Sequence, residues 1–514
     1  MLYKKILTVA ATVIVITFYT GCGSKTQDNQ QAEKNTCTLV REIDSISLEK
    51  ALSPFKNEME SKTGVLVLED GGNSMMARAW LTEHATKSID IQYFIFSTDN
   101  VGLIACDYLV RAADKGIKIR ILVDDIMVEA KGSELLLMDS HPNIEIRIYN
   151  PGANVGKNIS NKLKKLAFDF KGLNHRMHNK TFIVDELVAI TGGRNIADEY
   201  FDYDHAYNFR DRDVLLIGAV TKHIKNSFDV FWNSSYSVPA VKLVFEAHAN
   251  LTDSNRFVKL HNYACNPDNY WPAVRKKVNE IPLLFRELIN AGDLIWTDSV
   301  QFISDIPGKN DHKKIKTGGI TTDSLIALIQ KAKYSIDIQS PYLVTTSLGK
   351  KVLGDAVKRG VKVRVLTNSL ASTDNLEAFS GYQRDRDELL KTGIRIFEFK
   401  PDAKERYRIM TGELQKQLSY QPVFGLHAKS MVVDGSVTLI GTFNLDPRSA
   451  HLNTECFAVI HSVKIAQSVL NGMETEFLPD NSWETTTNFN PDKEAGLKKR
   501  VNAFAKKVVP KEIL

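Results

Sequence analysis

Hydrophobic positions in this chain fall into short alternating runs separated by longer stretches of helical period. Ser88-Ile-Asp-Ile-Gln92 alternates polar and apolar residues, the period-two pattern of a strand. A helix-like stretch follows and ends on Lys115-Gly116, where glycine suits a helix C-terminus. Further strands are predicted over Ile117–Val123 and Ile144–Tyr149, the latter closed by Pro151. The same order returns later: Ser335-Ile-Asp-Ile-Gln339, a helical stretch ending on Arg359-Gly360, strands over Val361–Leu366 and Ile394–Phe399, then Pro401. Strand, helix, strand implies α/β layering with a mixed or parallel sheet.

One unit is therefore written twice, over residues 46–220 and 295–480. Residues 221–294 read as a mainly helical connector that orients the halves. Residues 481–514 form a C-terminal extension. Its basic end, from Leu497, reads as a solvated terminal helix or, in the alternative, as a membrane-surface contact.

The N-terminus has a different pattern. Lys4 and Lys5 precede an apolar run from Ile6 to Tyr19, and Thr20-Gly21-Cys22 follows. The run is short for a spanning helix and suits a signal peptide, assigned to residues 1–21. A small-residue ending at cysteine resembles a bacterial lipobox, with Cys22 as the lipidated residue, although Tyr19 departs from the usual aliphatic residue. An uncleaved anchor and an ordinary signal peptide are the alternatives. Gly23 to Asn35 is polar and lacks aromatics, and residues 22–45 read as a flexible tether. The expected location is the bacterial cell envelope, on the periplasmic or outer-surface side.

Composition changes this picture little. The 514 residues are 43% hydrophobic and 25% charged, an ordinary globular mixture long enough for two or three cores. Net charge is +5, too slight to mark a dedicated nucleic-acid binder. The other cysteines, Cys37, Cys106, Cys265 and Cys456, fit neither a zinc-ligand spacing nor a disulfide framework.

Within each repeat lies a matched polar constellation. His178-Asn-Lys180-Thr-Phe-Ile-Val-Asp185 is followed after six residues by Gly192-Gly-Arg-Asn195. His427-Ala-Lys429-Ser-Met-Val-Val-Asp434 is followed at the same spacing by Gly441-Thr-Phe-Asn444. Five matched identities recur at one constant offset, which chance delivers at roughly one start position in a million or fewer from average residue usage. On a strand, His and Lys two apart face the same side. Asp434-Gly435 signals a hairpin turn that returns Asn444 toward His427, and Asn195 returns toward His178 in the same way. Each half then presents an imidazole, an ammonium and an amide. Two such trios facing one another would surround a phosphodiester.

This double H-x-K-x4-D pattern resembles the signature of the phospholipase D superfamily. Within it the chain most resembles bacterial cardiolipin synthases of the C type, through Leu445-Asp-Pro-Arg-Ser-Ala-His-Leu-Asn-Thr-Glu455, Gly192-Gly-Arg-Asn-Ile196 and Phe231-Trp-Asn-Ser234. The similarity spans Lys62 to Pro479. The resemblance implies two sandwich halves, mixed sheets flanked by helices, related by a pseudo-two-fold axis around one shared site. It also implies that one histidine attacks phosphorus and forms a phosphohistidine, while the other acts as general acid and base. By that carry-over His178 is the candidate nucleophile and His427 the acid–base. Lys180, Lys429, Asn195 and Asn444 would hold the phosphoryl oxygens. No metal or other cofactor is implied.

Each imidazole also needs an acceptor to orient it. Aligning Asp213-Val-Leu-Leu-Ile217 with Glu455-Cys-Phe-Ala-Val459 nominates Asp213 and Glu455, each expected to serve the histidine of its own half. Asp185 and Asp434 are expected to be structural. His175 reads as a surface or pocket-rim residue, Arg194 as a head-group contact or the partner of a surface acid. Gly192-Gly193 reads as a turn. Tyr93 to Phe96 reads as core packing rather than a lipid cradle.

The resemblance leaves the substrate open. Phosphatidyl transfer between phospholipids, with phosphatidylglycerol and phosphatidylethanolamine as candidate substrates at a membrane surface, is the first expectation. Phospholipid hydrolysis at the same site is the second. An envelope nuclease is the third, disfavoured by the modest charge. A degenerate scaffold is opposed by the intact His, Lys and Asn in both copies.

Overall fold

A computed structural model describes residues 46–125, 133–151, 175–243, 256–270, 294–310, 318–410, 421–511 and 514. The expected signal segment 1–21, Cys22 and the tether 22–45 lie outside them. Among the described residues no helix is long and apolar enough to cross a membrane.

The first half contributes β1 (Thr63–Leu68), α1 (Gly71–His84), β2 (Ser88–Tyr93), α2 (Asn100–Asp114), β3 (Lys118–Asp124), β4 (Ile144–Tyr149), β5 (Thr181–Val184), β6 (Val188–Gly192), β7 (Tyr207–Arg210) and β8 (Asp213–Gly218). Next come α3 (Thr221–Trp232), β9 (Ser237–Pro239), α4 (Arg256–Cys265) and β10 (Ile295–Thr297). The second half contributes β11 (Val300–Ser304), α5 (Ile320–Lys331), β12 (Ser335–Gln339), α6 (Ser347–Lys358), β13 (Lys362–Asn368), α7 (Leu376–Lys391) and β14 (Arg395–Phe399). It continues with β15 (Val423–Leu426), β16 (Ser430–Val433), β17 (Val437–Gly441), β18 (Cys456–His461), α8 (Val463–Phe477), β19 (Ser482–Thr485) and α9 (Leu497–Ala505).

Two mixed sheets result. The first runs β10-β1-β8-β6-β5-β2-β3-β4-β9 and the second β11-β18-β17-β16-β12-β13-β14-β19. From β1 to β9 and from β11 to β19 the two orders correspond strand for strand, so the written repeat is a structural one. The parallel pairs β2–β3 and β12–β13 are joined by α2 and α6, each ending at a glycine in the left-handed region, Gly116 and Gly360. The correspondence also assigns the flanks. β9, from the stretch expected to be a helical connector, closes one edge against β4, as β19 from the C-terminal extension does against β14. β10, read as the start of the second half, pairs instead with β1 in the first sheet.

Side chains alternate along each central strand between two cores. Phe182 and Val184 pack into the first half's own core, Met431 and Val433 into the second's. Ile183 and Val432 turn the other way, into a shared core filled from both sheets and from α3 and α8. The two sheets thus lie face to face, and the shared core holds them.

Cys265 is disulfide-bonded, whereas the sequence suggested no staples. It closes α4, which lies outside both sheets and buries little beyond Leu260, Ala264 and Cys265 itself, so a covalent tie adds what packing does not. Cys106 and Cys456 are buried and not disulfide-bonded.

Candidate active site

The two hairpins that carry the motifs, β5–β6 and β16–β17, turn through Asp185-Glu186 and Asp434-Gly435, and all four residues have positive φ. Each motif carboxylate then faces away from its histidine. Asp185 accepts the backbone N–H groups of Thr86, Lys87 and Ser88, and Asp434 those of Lys333, Tyr334 and Ser335. Both therefore tie the hairpin turn to the segment entering β2 or β12, the structural role expected of them.

His178, Lys180, Asn195, His427, Lys429 and Asn444 are all buried and converge between the halves. Convergence is visible electrostatically: Lys429 depresses the basicity of His178, and Lys180 that of His427. Lys180 Nζ donates to the His178 carbonyl oxygen at 2.9 Å. Lys429 Nζ donates to the His427 carbonyl oxygen and lies 2.8 Å from His427 Nδ1. Asn195 Oδ1 accepts the Ile95 N–H at 3.1 Å. Asn444 Oδ1 is buried without a partner among the described residues, an acceptor left over within the site.

The acceptors of the imidazoles correct the sequence expectation twice. His178 Nδ1–H donates to Glu455 Oε2 at 2.8 Å, and His427 Nδ1–H donates to Asp211 Oδ2 at 2.6 Å. Each histidine is thus paired with the other half, and Asp211 takes the place proposed for Asp213. The cause is strand geometry. β15 runs parallel to β7 with Leu426 opposite Arg210, so the next residues, His427 and Asp211, come side by side. Met177 bridges Thr454 in the same parallel sense, which sets His178 beside Glu455. The main chain seals both junctions, His427 N–H to Arg210 O at 2.7 Å and His178 N–H to Thr454 O at 2.9 Å.

Register explains the other error. Gly192 stands opposite Asp213 and Gly441 opposite Phe457, so the true counterpart of Glu455 lies two residues earlier, at Asp211. Asp213 instead accepts from Arg78 Nη2 at 2.9 Å and Ser74 Oγ at 2.7 Å, binding α1 to the sheet. The pair Gly192-Gly193 proves to be more than a turn: a Cβ on Gly193 would lie 2.0 Å from Asp211 Oδ1. Glycine there is what lets the His427 acceptor come in.

Other residues act in ways the sequence did not disclose. Phe94 lies edge-on to His178 with ring centres 5.1 Å apart, and Tyr200 edge-on to His427 at the same distance. Phe209 adds a second ring against His427 at 4.6 Å. Of the run read as core packing, Tyr93 and Phe96 are buried while Phe94 belongs to the site. Glu455 is held by the Thr442 hydroxyl and by Ser449 Oγ at 2.7 Å, and its own N–H donates to Asp305. Ser449 lies in the Pro447-Arg-Ser-Ala450 stretch that carried the family resemblance. Arg194 is neither a head-group contact nor a surface partner. It is buried and donates to the carbonyl oxygens of Leu68, Glu69, Tyr200 and Asp211. His175, expected at a surface or rim, is buried as well.

Burial sets the protonation of the site. It pulls His178 down to about 4 against the pull of Glu455, with Lys180 adding to the fall. Burial and Lys429 pull His427 down to about 3 despite Asp211. Lys180 falls to about 7 through burial and Lys429, and Lys429 to about 8 through burial. Burial would raise Asp211 and Glu455, but His427 and His178 respectively hold both carboxyls below their ordinary range. At neutral pH both imidazoles are neutral, each with Nδ1–H fixed by a carboxylate and the Nε2 lone pair free. Two neutral nucleophilic nitrogens beside two ammonium groups suit a bound anion, whose charge would restore the basicity that burial removes.

The fold and site define a protein with two fused phospholipase D-like halves and one composite phosphodiester site. The chain belongs to the family described as cardiolipin synthase, PLD-like domain, whose model matches residues 81–232 and 325–476. It is 32% identical to cardiolipin synthase C of Escherichia coli K12 over 82% of this chain and 86% of that one. A Helicobacter pylori J99 chain is 32% identical over 80% of this chain and 79% of its own. A cardiolipin synthase of Oceanobacillus iheyensis is 23% identical over 88% and 75% respectively. Among solved structures, phosphatidylserine synthase of Haemophilus influenzae superposes with a TM-score of 0.56 at 13% identity, covering 90% of this chain and 100% of that one. That likeness speaks to the fold.

Proposed function

We propose that this protein is a phosphatidyltransferase of the cardiolipin synthase type, acting on phospholipids through a covalent histidine intermediate. The observation that carries the reading is the crossed pair of imidazole–carboxylate contacts, His178 with Glu455 and His427 with Asp211. It presents two oriented Nε2 atoms to one space lined by Lys180 and Lys429. Membership in the cardiolipin synthase family and the resemblance to the E. coli enzyme support phosphatidyl groups as the cargo.

His427 takes up a proton at Nε2 when the anionic substrate binds beside it. Nε2 of His178 then attacks the phosphorus of a phosphatidyl group, and the bond to the head-group oxygen breaks as His427 gives that oxygen the proton. The head-group alcohol leaves, glycerol in the case of phosphatidylglycerol. His427 then removes a proton from the hydroxyl of a second phosphatidylglycerol, whose oxygen attacks the same phosphorus and frees His178. The products are cardiolipin and one alcohol. Lys180, Lys429 and Asn444 hold the non-bridging oxygens through both displacements. His178 is assigned as nucleophile on the family pattern. We place the protein in the bacterial cell envelope, with Cys22 as its lipid anchor.

The test is to incubate purified protein with labelled phosphatidylglycerol, with and without phosphatidylethanolamine, and resolve the products. Cardiolipin is expected. Phosphatidic acid alone would show a hydrolase instead, and cleavage of single-stranded DNA without lipid turnover would show a nuclease.

A further inference from the structure

The C-terminal helix α9 carries an exposed apolar row that nothing in the catalytic account uses. Leu497, Val501, Phe504 and Val508 are 68%, 57%, 71% and 86% exposed. At about 100° per residue these four positions fall within roughly 60° of one another, one narrow stripe. Val508 extends it into the 3-10 turn Lys506–Val508 that continues the helix. From Leu497 to Lys511 the sequence has six basic residues and no acidic one. Lys506 pairs with Glu377 and Lys511 with Asp385, which leaves Lys498, Arg500 and Lys507 beside the stripe. Lys498 stands on one flank, Arg500 and Lys507 on the other, and Lys507 Nζ lies 5.5 Å from the centre of the Phe504 ring.

The opposite face is fastened to the rim of the active site. Ala503 is fully buried in the second half's core. Lys499 Nζ donates to the carbonyl oxygens of Ala371 at 2.9 Å and Thr373 at 2.8 Å. Between those two, Ser372 Oγ donates to Asn368 Oδ1 at 3.0 Å. Asn368 in turn brackets Leu426, accepting its N–H and donating to its carbonyl oxygen, both at 2.8 Å. The next residue is His427. Hydrogen bonds and the short stretches of main chain between them therefore tie the helix to Leu426, the residue before the candidate acid–base. Arg384 adds a clamp, donating to the carbonyl oxygens of Lys507 and Val509 at 3.1 and 2.9 Å.

We propose that α9 and its continuation lie in the surface of an anionic lipid bilayer and hold the mouth of the active site against it. The occupant is argued from charge and shape. A narrow apolar stripe flanked by lysine and arginine matches the boundary between acyl chains and anionic phosphates. The rigid link to His427 gives that contact a use: it registers the cleft at the depth where lipid phosphates lie. The inference rests on the reading that the substrates are phospholipids, and deepens it.

The test uses the full chain carrying Phe504→Trp. The added fluorescence is read against the parent chain on vesicles with brominated acyl chains. Tyr334→Trp, at an exposed site just before β12 and away from that strand's active-site end, is the reference. Expected is a blue shift and quenching at 504, several-fold stronger on phosphatidylglycerol vesicles than on phosphatidylcholine, weakened by salt, and absent at 334. A paired variant, Leu497→Glu with Phe504→Glu, is expected to raise KM about tenfold on vesicles. It should leave turnover of monomeric short-chain phosphatidylglycerol unchanged. No quenching at 504, equal quenching on neutral vesicles, or an emission change that follows protein concentration without vesicles would overturn the proposal. The last would indicate a second copy of the chain on this face. Because insertion is read without turnover, quenching by a catalytically silent protein would leave this surface standing and remove the enzyme reading instead.

Discussion

Asp211 and Asp213 sit two residues apart in one segment and have opposite duties. Asp211→Asn leaves His427 without the carboxylate that fixes its tautomer, so kcat is expected to fall by about 10² to 10⁴ with the fold intact. Asp213→Asn instead breaks a buried contact with Arg78 and is expected to cost about 3–5 kcal/mol of stability. Urea unfolding and steady-state kinetics on both variants separate the two roles. The pH profile follows from the site's titration. Activity is expected to fall below about 4, where His178 takes up a proton and loses its attacking lone pair. It is expected to fall again above about 7 to 8, where Lys180 and then Lys429 lose the charge that holds phosphate. Lys180→Arg should move the alkaline limb upward if that limb reports the lysine. The histidine, lysine and asparagine of each half were legible as a candidate trio because chemistry of this kind tolerates few substitutes at fixed spacing. The acceptors were not, because both aspartates fit the same local pattern and only β-ladder register tells them apart.

Strands and helices were read with small errors, since alternation and helix-ending glycines are local signals. β4 has the bounds the sequence suggested, and β3 and β13 start one residue later than expected. What local pattern does not carry is which strand a given strand will meet. β7 and β15 are four-residue strands whose only ladder partners among the described residues are each other, one from each half. They were invisible as a pair although they set His427 beside Asp211. The glutamines that close the two Ser-Ile-Asp-Ile-Gln repeats make the same point. Gln92 donates to Met177 Sδ at 3.1 Å, whereas Gln339 joins a charged network with Arg212 and Glu476. At this scale Gly193→Ala is the informative change. Its Cβ would press on the Asp211 carboxylate, and a displacement of that order is expected to cost roughly 10² in kcat, read on protein shown by circular dichroism to be folded.

For the whole molecule, the duplicated pattern made the fold-back legible, but not that the halves exchange their catalytic acceptors. Neither motif histidine takes its carboxylate from its own half, and charged groups cross between the halves elsewhere too. Arg210 is bound by Glu69 of its own half and by Glu476 of the other, while Arg212 reaches Glu69 and Ser430. Glu69 shows the consequence for acid stability. Burial would raise its carboxyl, but Arg212 and Arg210 bring it from 4.5 down to about 2. Because the folded value is the lower one, its contribution is present above 4.5 and is lost as pH falls toward 2. Urea midpoints measured across that window are expected to drop less steeply for Glu69→Gln than for the parent. A single calorimetric transition is expected for the two halves together, given the core and the ion pairs they share.

The most direct measurement is covalent trapping with phosphatidylglycerol labelled at phosphorus, quenched in denaturant at alkaline pH, where a phosphorus–nitrogen bond to histidine survives. Less than one label per chain is expected in the parent, none in His178→Ala, and accumulation toward one in His427→Ala, which resolves the intermediate slowly. Two labels per chain, or equal labelling in both variants, would mean that the halves work as separate sites and that the crossed pairs do not serve a single phosphorus.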